Sequence, residues 1–178
     1  MIVRNNYSII AAAYNEALKS PCNYRLGSVI TKGRRRIVMK GYNTNQRTSY
    51  LKQTTCCQHA EMAVVTKFMN GFVRRNYKNS YKNRSKKRSS RHDFSKYIIW
   101  VYRIPSGCIH TNSDFTNKLP IRNAMPCKRC CESLLKLGFR KIGYSTKDNT
   151  TVLRDLRRFK NDHVSVAERK MAHLSVYI

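Results

Sequence analysis

Two short motifs, each at the start of a predicted helix, constrain this chain more than any other feature. The first is His59-x-Glu61 in "TTCCQHAEMAVVTKF", and the second is Pro126-Cys127-x-x-Cys130 in "MPCKRCCESLLKLGF". Positions i and i+3 of a helix lie on the same side. Cys127 and Cys130 are therefore expected to direct two sulfurs to one point near a helix N-terminus, where the positive end of the helix dipole favours thiolates.

Together the two motifs predict a catalytic zinc site. Two cysteines and one histidine supply three ligands, and the fourth tetrahedral position is left for water, as in catalytic zinc centres. Glu61 follows His59 by two residues and is predicted to carry protons to and from that water without binding the metal. Each motif alone is weak, because Cys-x-x-Cys also marks redox and structural zinc sites and Glu61 also suits a first-turn acid.

The pattern of apolar residues predicts an α/β fold. The order α-β-β-α-β-α-β indicates helices on both faces of one sheet. The predicted elements are a helix at 7–19, a two-stranded hairpin at 25–43, a helix at 59–70 ended by Gly71, a strand at 97–104, a helix at 127–137 ended by Gly138 and a strand at 140–146. Residues 43–57 are predicted to be a loop. A helix around Val152–Phe159 and a short strand in "HLSVYI" complete the prediction.

The chain is predicted to be a single domain over residues 1–178, with a basic insertion at 73–92, a loop insertion at 105–120 and a C-terminal extension at 147–178. The basic insertion has nine Lys/Arg and no acid, so it cannot pack as core and is expected to be mobile. Its basic side chains are the predicted nucleic-acid or phosphate contacts: Arg74, Arg75, Lys78, Lys82, Arg84, Lys86, Lys87, Arg88 and Arg91.

Charge and cysteine content narrow the class of protein. With 36 Lys+Arg against 9 Asp+Glu, the formal charge is +27, which predicts a polyanionic partner such as nucleic acid or nucleotide phosphate. No signal peptide and no apolar run of about 20 residues are visible. We therefore expect a soluble, intracellular protein, cytoplasmic or nuclear, with no membrane partner; a viral or virion-associated origin is compatible with the abundant Asn, Lys, Tyr and Ile.

The odd number of cysteines, seven, indicates metal ligands, nucleophiles or core residues more than disulfides. A second metal site formed by Cys56 or Cys57 with Cys108 and His110 is an alternative, although the spacing follows no standard ligand pattern.

At three stretches the chain resembles the cytidine and deoxycytidylate deaminase superfamily. "QHAEMAV" and "MPCKRCCESLLKLGFRKIGYST" are similar to the two halves of its zinc site, and "GSVITKGRRRIVMKGYN" to its first hairpin. The resemblance covers residues 7–148. It implies a three-layer α/β/α fold with a mixed sheet of about five strands, zinc held by His59, Cys127 and Cys130, Glu61 as proton shuttle, a sugar contact by Asn43, and homo-oligomers.

One departure from the family concerns spacing. His59 and Cys127 are 68 residues apart, farther than is usual in the family, because of the segments 73–92 and 105–120. The basic insertion leaves from the C-terminal end of the active-site helix and the loop 105–120 runs toward Cys127, so either could border the pocket entrance.

Three functions remain open from the sequence. The chain is predicted to convert cytosine to uracil in a free nucleotide such as dCMP or CMP. A second candidate is deamination of cytosine or adenine within RNA or single-stranded DNA, with the insertion holding the backbone and Tyr77, Tyr81 and Trp100 stacking on bases. For Trp100 the competing interpretation, core packing, is favoured because it lies in an apolar strand. A third candidate is a basic nucleic-acid-binding or packaging protein with little or no catalysis.

Overall fold

The computed structural model describes residues 7–50, 53–55, 57–80, 94–106, 120–148, 150–166 and 169, with the backbone alone at 50, 53–55 and 72–80. In chain order the elements are α1 (Tyr7–Leu18), β1 (Leu26–Lys32), β2 (Arg36–Tyr42), β3 (Thr48–Tyr50), β4 (Gln53–Thr55), α2 (Ala60–Ser80), β5 (Tyr97–Arg103), α3 (Lys128–Lys136), β6 (Lys141–Ser145) and β7 (Thr151–Asp155). One turn of 3-10 helix, Phe94–Lys96, precedes β5. Among the described residues, none of the helices combines the length and the hydrophobicity that a membrane span requires.

A mixed five-stranded sheet forms the centre of the protein, in the order β2-β1-β5-β6-β7. Strands β5 and β6 are parallel, and the other neighbouring pairs are antiparallel. A parallel pair needs a crossover connection, and α3 lies in the connection between β5 and β6. The predicted mixed five-stranded sheet is confirmed.

Helices cover both faces of the sheet, and the apolar side chains of β5 point alternately to one face and to the other. Ile98, Trp100 and Tyr102 pack in one core with the residues of α1. Ile99 and Val101 pack in a second core with α2 and α3. Successive side chains of a strand point to opposite faces, so an almost wholly apolar strand is the expected centre of a three-layer α/β/α structure. The predicted fold class is confirmed.

Two glycines allow close packing against this sheet. A Cβ on Gly27 would lie 1.8 Å from the carbonyl oxygen of Ala13, so α1 approaches β1 at a distance that only glycine permits. A Cβ on Gly143 would lie 2.2 Å from Cε3 of Trp100, whose indole crosses over β6.

Five predicted elements are confirmed: α1, the β1–β2 hairpin, β5, α3 and β6. The predicted end of α2 at Gly71 is wrong, because the helix continues to Ser80 and includes the first part of the basic insertion. An interior glycine costs a helix only about 1 kcal/mol, and Arg and Lys are good helix formers. The absence of apolar residues excluded a core segment but not an exposed helical one.

Two other predictions are wrong. The segment 43–57 contains a small antiparallel hairpin, β3–β4, where a loop was predicted. The predicted helix at Val152–Phe159 is instead the strand β7, which pairs with β6 from Lys141↔Asp155 to Ser145↔Thr151. Pairing with the open edge of β6 satisfies the backbone groups of this segment and buries its first three residues. The predicted strand at 173–178, and most of the loop 105–120, lie outside the described residues.

Candidate metal centre

The two helix starts that carry the motifs meet at one end of the sheet. Gln58, just before α2, forms an isolated bridge with Thr44, which follows β2. On the other side, the backbone N–H of Ala124 donates to the carbonyl oxygen of Ser145 at the end of β6, three residues before Cys127. The β2 terminus and the carboxyl end of β6 thus bring both N-termini to the same sheet end.

Cys127 begins α3 as its N-cap residue. Its backbone is extended (φ −76°, ψ 161°), and its sulfur accepts a hydrogen bond from the N–H of Cys130 at 3.4 Å. A buried proline, Pro126, precedes it. This local geometry directs the sulfur of Cys127 toward the same point as that of Cys130.

The three predicted ligand atoms converge. His59 Nδ1 lies 3.3 Å from the Cys130 sulfur and 3.5 Å from the Cys127 sulfur, and all three ligand atoms lie within 4.8 Å of one another. Zn–N and Zn–S bonds of usual length at a tetrahedral angle place nitrogen and sulfur about 3.6 Å apart. The donor set and its spacing therefore fit a zinc ion, with the imidazole bound through Nδ1.

The pKa shifts of Cys127 and His59 favour a positive charge beside the Cys127 sulfur, whereas the hydrogen bond with Cys127 and burial raise the pKa of Cys130. A hydrogen bond from Cys130, opposed by burial, lowers the pKa of Cys127 to about 5. Burial disfavours a charged imidazole, but hydrogen bonds with Cys127 and Cys57 outweigh it and raise the pKa of His59 to about 11. Without a metal, a proton on His59 balances a Cys127 thiolate. Zinc takes over the role of that proton when it binds.

Glu61 lies in the first turn of α2 with only 3% of its surface exposed. Burial raises the pKa of its carboxyl group to about 7, although His59 lowers it. Ser28 of β1 fixes this turn, since its buried hydroxyl donates to the Ala60 carbonyl oxygen at 2.6 Å. A carboxyl group held beside a metal centre in this way can both accept and return a proton near neutral pH.

Asn43 is held firmly at the same end of the sheet. Its Oδ1 accepts hydrogen bonds from the Ser20 hydroxyl and the Leu26 N–H, both at 2.8 Å, and its Nδ2 donates to the Tyr24 carbonyl oxygen at 2.7 Å. These bonds leave one amide hydrogen for another acceptor. The predicted sugar contact by Asn43 stays a prediction.

One part of the site escaped the sequence prediction. Asn161, beyond β7, donates through Nδ2 to the Pro126 carbonyl oxygen at 2.6 Å. Two residues later, the His163 carbonyl oxygen accepts from the N–H of Lys128, the first residue of α3, at 2.9 Å. This segment, residues 161–163, closes over the N-terminus of the helix that carries both cysteines. No motif marks it, because one amide and one carbonyl group carry the contact.

Other predicted site residues have different outcomes. Trp100 is 2% exposed, and its Nε1 donates to the Thr31 hydroxyl within the core under α1, so core packing is confirmed and base stacking by Trp100 is excluded. Arg74, Arg75 and Lys78 lie on α2 by their backbone. Outside the described residues lie Lys82, Arg84, Lys86, Lys87, Arg88, Arg91, Tyr81, Cys56, Cys108 and His110, so their predicted roles stay predictions.

The first part of the basic insertion continues the helix α2. Phe68 of α2 packs against Tyr97 at the start of β5, with ring centroids 5.0 Å apart, so α2 has already reached the far end of the sheet there. At 1.5 Å per residue, the helix from Phe68 to Ser80 extends about 18 Å farther. The described part of the insertion, residues 73–80, therefore leads away from the metal centre. Residues 81–92 lie outside the described residues, so the expectation that the insertion borders the pocket entrance stays a prediction.

Comparison with known proteins agrees with this geometry. The family model described as the cytidine and deoxycytidylate deaminase zinc-binding region matches residues 1–146. The match includes all three ligands and Glu61, and it ends before β7 and the segment 161–163. No curated protein shows significant similarity to the chain.

Proposed function

The chain belongs to the cytidine and deoxycytidylate deaminase zinc-binding family, and from this we propose that it hydrolyses the 4-amino group of cytosine in a free nucleotide such as dCMP or CMP. The products are the corresponding uracil nucleotide and ammonia. The observation that carries the proposal is the convergence of His59 Nδ1 and two cysteine sulfurs beside a buried glutamate.

In the proposed reaction, His59, Cys127 and Cys130 hold zinc. When bound, zinc lowers the pKa of a water molecule to about 7 and supplies a nucleophile for C4 of cytosine. Glu61 accepts the proton of that water and delivers it to the ring nitrogen N3. The same carboxyl group then carries a proton to the amino group as the C4–N bond breaks. One glutamate is sufficient, because each proton that it removes is also the proton that it returns.

A cationic group beside Asn43 supports a nucleotide over a nucleoside. The guanidinium of Arg103 lies 4.5 Å from the centre of the Tyr24 ring, and the Tyr24 carbonyl group holds Asn43. The Nε of Arg103 is buried and makes no hydrogen bond in the structure as described. A guanidinium held by the same residue as an expected sugar contact suits the phosphate of a nucleotide.

Deamination within a polynucleotide is the second candidate. The charge of +27 favours it, since a free nucleotide carries one phosphate group and needs few cations. Against it, α2 carries the described part of the basic insertion, residues 73–80, away from the metal centre. The third candidate is a binding or packaging protein without catalysis. Such a protein does not need a buried glutamate beside the three metal ligands.

A substrate panel followed by ultraviolet absorbance tests the proposal. Zinc-loaded protein is assayed with dCMP, CMP, deoxycytidine, adenosine, single-stranded DNA and RNA. We expect the highest kcat/KM for a cytosine mononucleotide. We also expect Arg103→Ala to raise KM for dCMP while leaving KM for deoxycytidine unchanged. Turnover of oligonucleotides alone would favour the second candidate, and no turnover by zinc-loaded protein would favour the third.

A further inference from the structure

A group of exposed cations lies at the end of the sheet opposite the metal centre. Three successive arginines, Arg34 to Arg36, span the β1–β2 turn and the start of β2. The backbone N–H of Gly33 in that turn donates to the Lys96 carbonyl oxygen, just before β5. Lys141 begins β6 and pairs with Ile98 of β5. We call these neighbours the distal basic surface: Lys32, Arg34, Arg35, Arg36, Lys96 and Lys141, all exposed.

The separation of this surface from the metal centre follows from the strands. Leu26, at one end of β1, bonds to Asn43 at the metal end of the sheet. Lys32, at the other end of β1, pairs with Arg36 and Tyr97. At about 3.3 Å per residue, the two ends of β1 are about 20 Å apart. A molecule bound at the distal basic surface therefore does not have to enter the zinc site.

One acidic residue of the described chain lies beside this surface in the sheet, but its charge is already paired with an arginine. Asp155 pairs with Lys141 across the β6–β7 ladder, but its carboxylate binds the guanidinium of Arg157 at 2.5 Å. That ion pair brings no net negative charge to the surface. Immediately beyond Phe68, α2 carries Arg74, Arg75 and Lys78 from the same end of the sheet. The cations of the β1–β2 turn and of the neighbouring strand ends thus lie together at one end of the sheet, and the backbone of α2 leaves from that same end.

We propose that the distal basic surface binds the sugar-phosphate backbone of a nucleic acid, and that it tethers the protein there while the zinc site stays open to free nucleotide. A dense row of Lys and Arg is what phosphate backbones attract, and release of their counterions drives binding. A membrane surface would call for apolar side chains beside the cations. Among the described residues, the exposed large apolar side chains are Tyr7, Tyr24, Val164 and Val166, and none of them belongs to the distal basic surface.

Two matched triple variants test the proposal. The distal variant is Arg34→Gln, Arg35→Gln, Arg36→Gln. The control removes the same charge from exposed positions elsewhere: Arg47→Gln, Arg122→Gln, Lys147→Gln. Binding of a labelled single-stranded oligonucleotide of about 20 nucleotides is measured by fluorescence anisotropy between 50 and 200 mM salt. Three lost phosphate contacts make the slope of log K against log salt shallower by about 2. Between 50 and 200 mM salt, the affinity of the wild type therefore falls about 20-fold more than the affinity of the distal variant.

We expect the control variant to retain most of the wild-type slope. We also expect the oligonucleotide to leave KM for dCMP unchanged, since the two sites are separate. The binding measurement does not depend on the proposed function, because it is read without turnover. Equal losses in both triple variants, or competitive inhibition of dCMP hydrolysis by the oligonucleotide, would overturn the proposal. The proposal would also be overturned if the distal variant lost binding to phosphatidylserine vesicles but kept the wild-type affinity for the oligonucleotide.

Discussion

Replacing Asn161 by alanine tests whether a segment outside the family match supports the metal centre. The change removes the 2.6 Å bond to the Pro126 carbonyl oxygen and the 2.9 Å bond from the His163 N–H to Oδ1. At a net 0.5–1.5 kcal/mol for each hydrogen bond, the free energy of unfolding falls by about 2 kcal/mol. For a chain of this size that lowers Tm by roughly 4–8 °C.

The loss of unfolding free energy is expected to be larger in zinc-loaded protein than after chelation. Residues 161–163 and the metal fix the same turn of α3, so the variant loses zinc affinity in addition to its hydrogen bonds. Thermal unfolding followed by circular dichroism, with and without zinc, measures the stability. The rate of zinc transfer to a coloured chelator measures the metal centre directly, and we expect Asn161→Ala to release zinc faster. The control is Asn123→Ala, which removes one longer bond, 3.3 Å, from the Met125 N–H. Equal zinc release by wild type and Asn161→Ala would refute the reasoning.

Two further predictions concern the metal ligands and the core. Cys130→Ala is expected to lose zinc, whereas Cys131→Ala, which removes the adjacent buried sulfur, keeps about one zinc per chain by mass spectrometry. Full zinc in Cys130→Ala would remove it from the ligand set. Gly143→Ala places a Cβ 2.2 Å from Cε3 of the buried Trp100, and overpacking of this kind costs about 1–3 kcal/mol. An unchanged midpoint of denaturant unfolding would contradict that contact.

The metal centre could be predicted from the sequence because zinc chemistry restricts it tightly. Few residue types bind zinc, a helix start fixes the spacing of Cys127 and Cys130, and a proton carrier has to stand close to the metal. The elements around the motifs could also be predicted. Strand β5 is almost wholly apolar, and Gly138, with φ 94°, follows α3 in a conformation that suits glycine.

For β7 and for Asn161 the physical cause is the same, which is that tertiary partners decided the outcome. The segment Thr151–Asp155 became a strand because β6 offered an open edge, and nothing within the segment itself reveals that edge. The contact of Asn161 with Pro126 spans 35 residues and uses one side chain, so no local pattern marks it. The basic insertion was judged by its unsuitability for a core, whereas the helix through residues 73–80 needs none.

Glu61→Gln gives the most direct test of the central claim, that a zinc centre and one buried carboxyl group deaminate cytosine. The side chain keeps its shape and loses its ability to carry a proton. Turnover of dCMP and zinc content are measured on the same preparation, with wild type alongside. We predict about one zinc per chain, a native circular dichroism spectrum and a fall in kcat of at least about 100-fold, in the range of general acid–base catalysis. Turnover at the wild-type rate by the zinc-loaded Glu61→Gln variant would contradict the account.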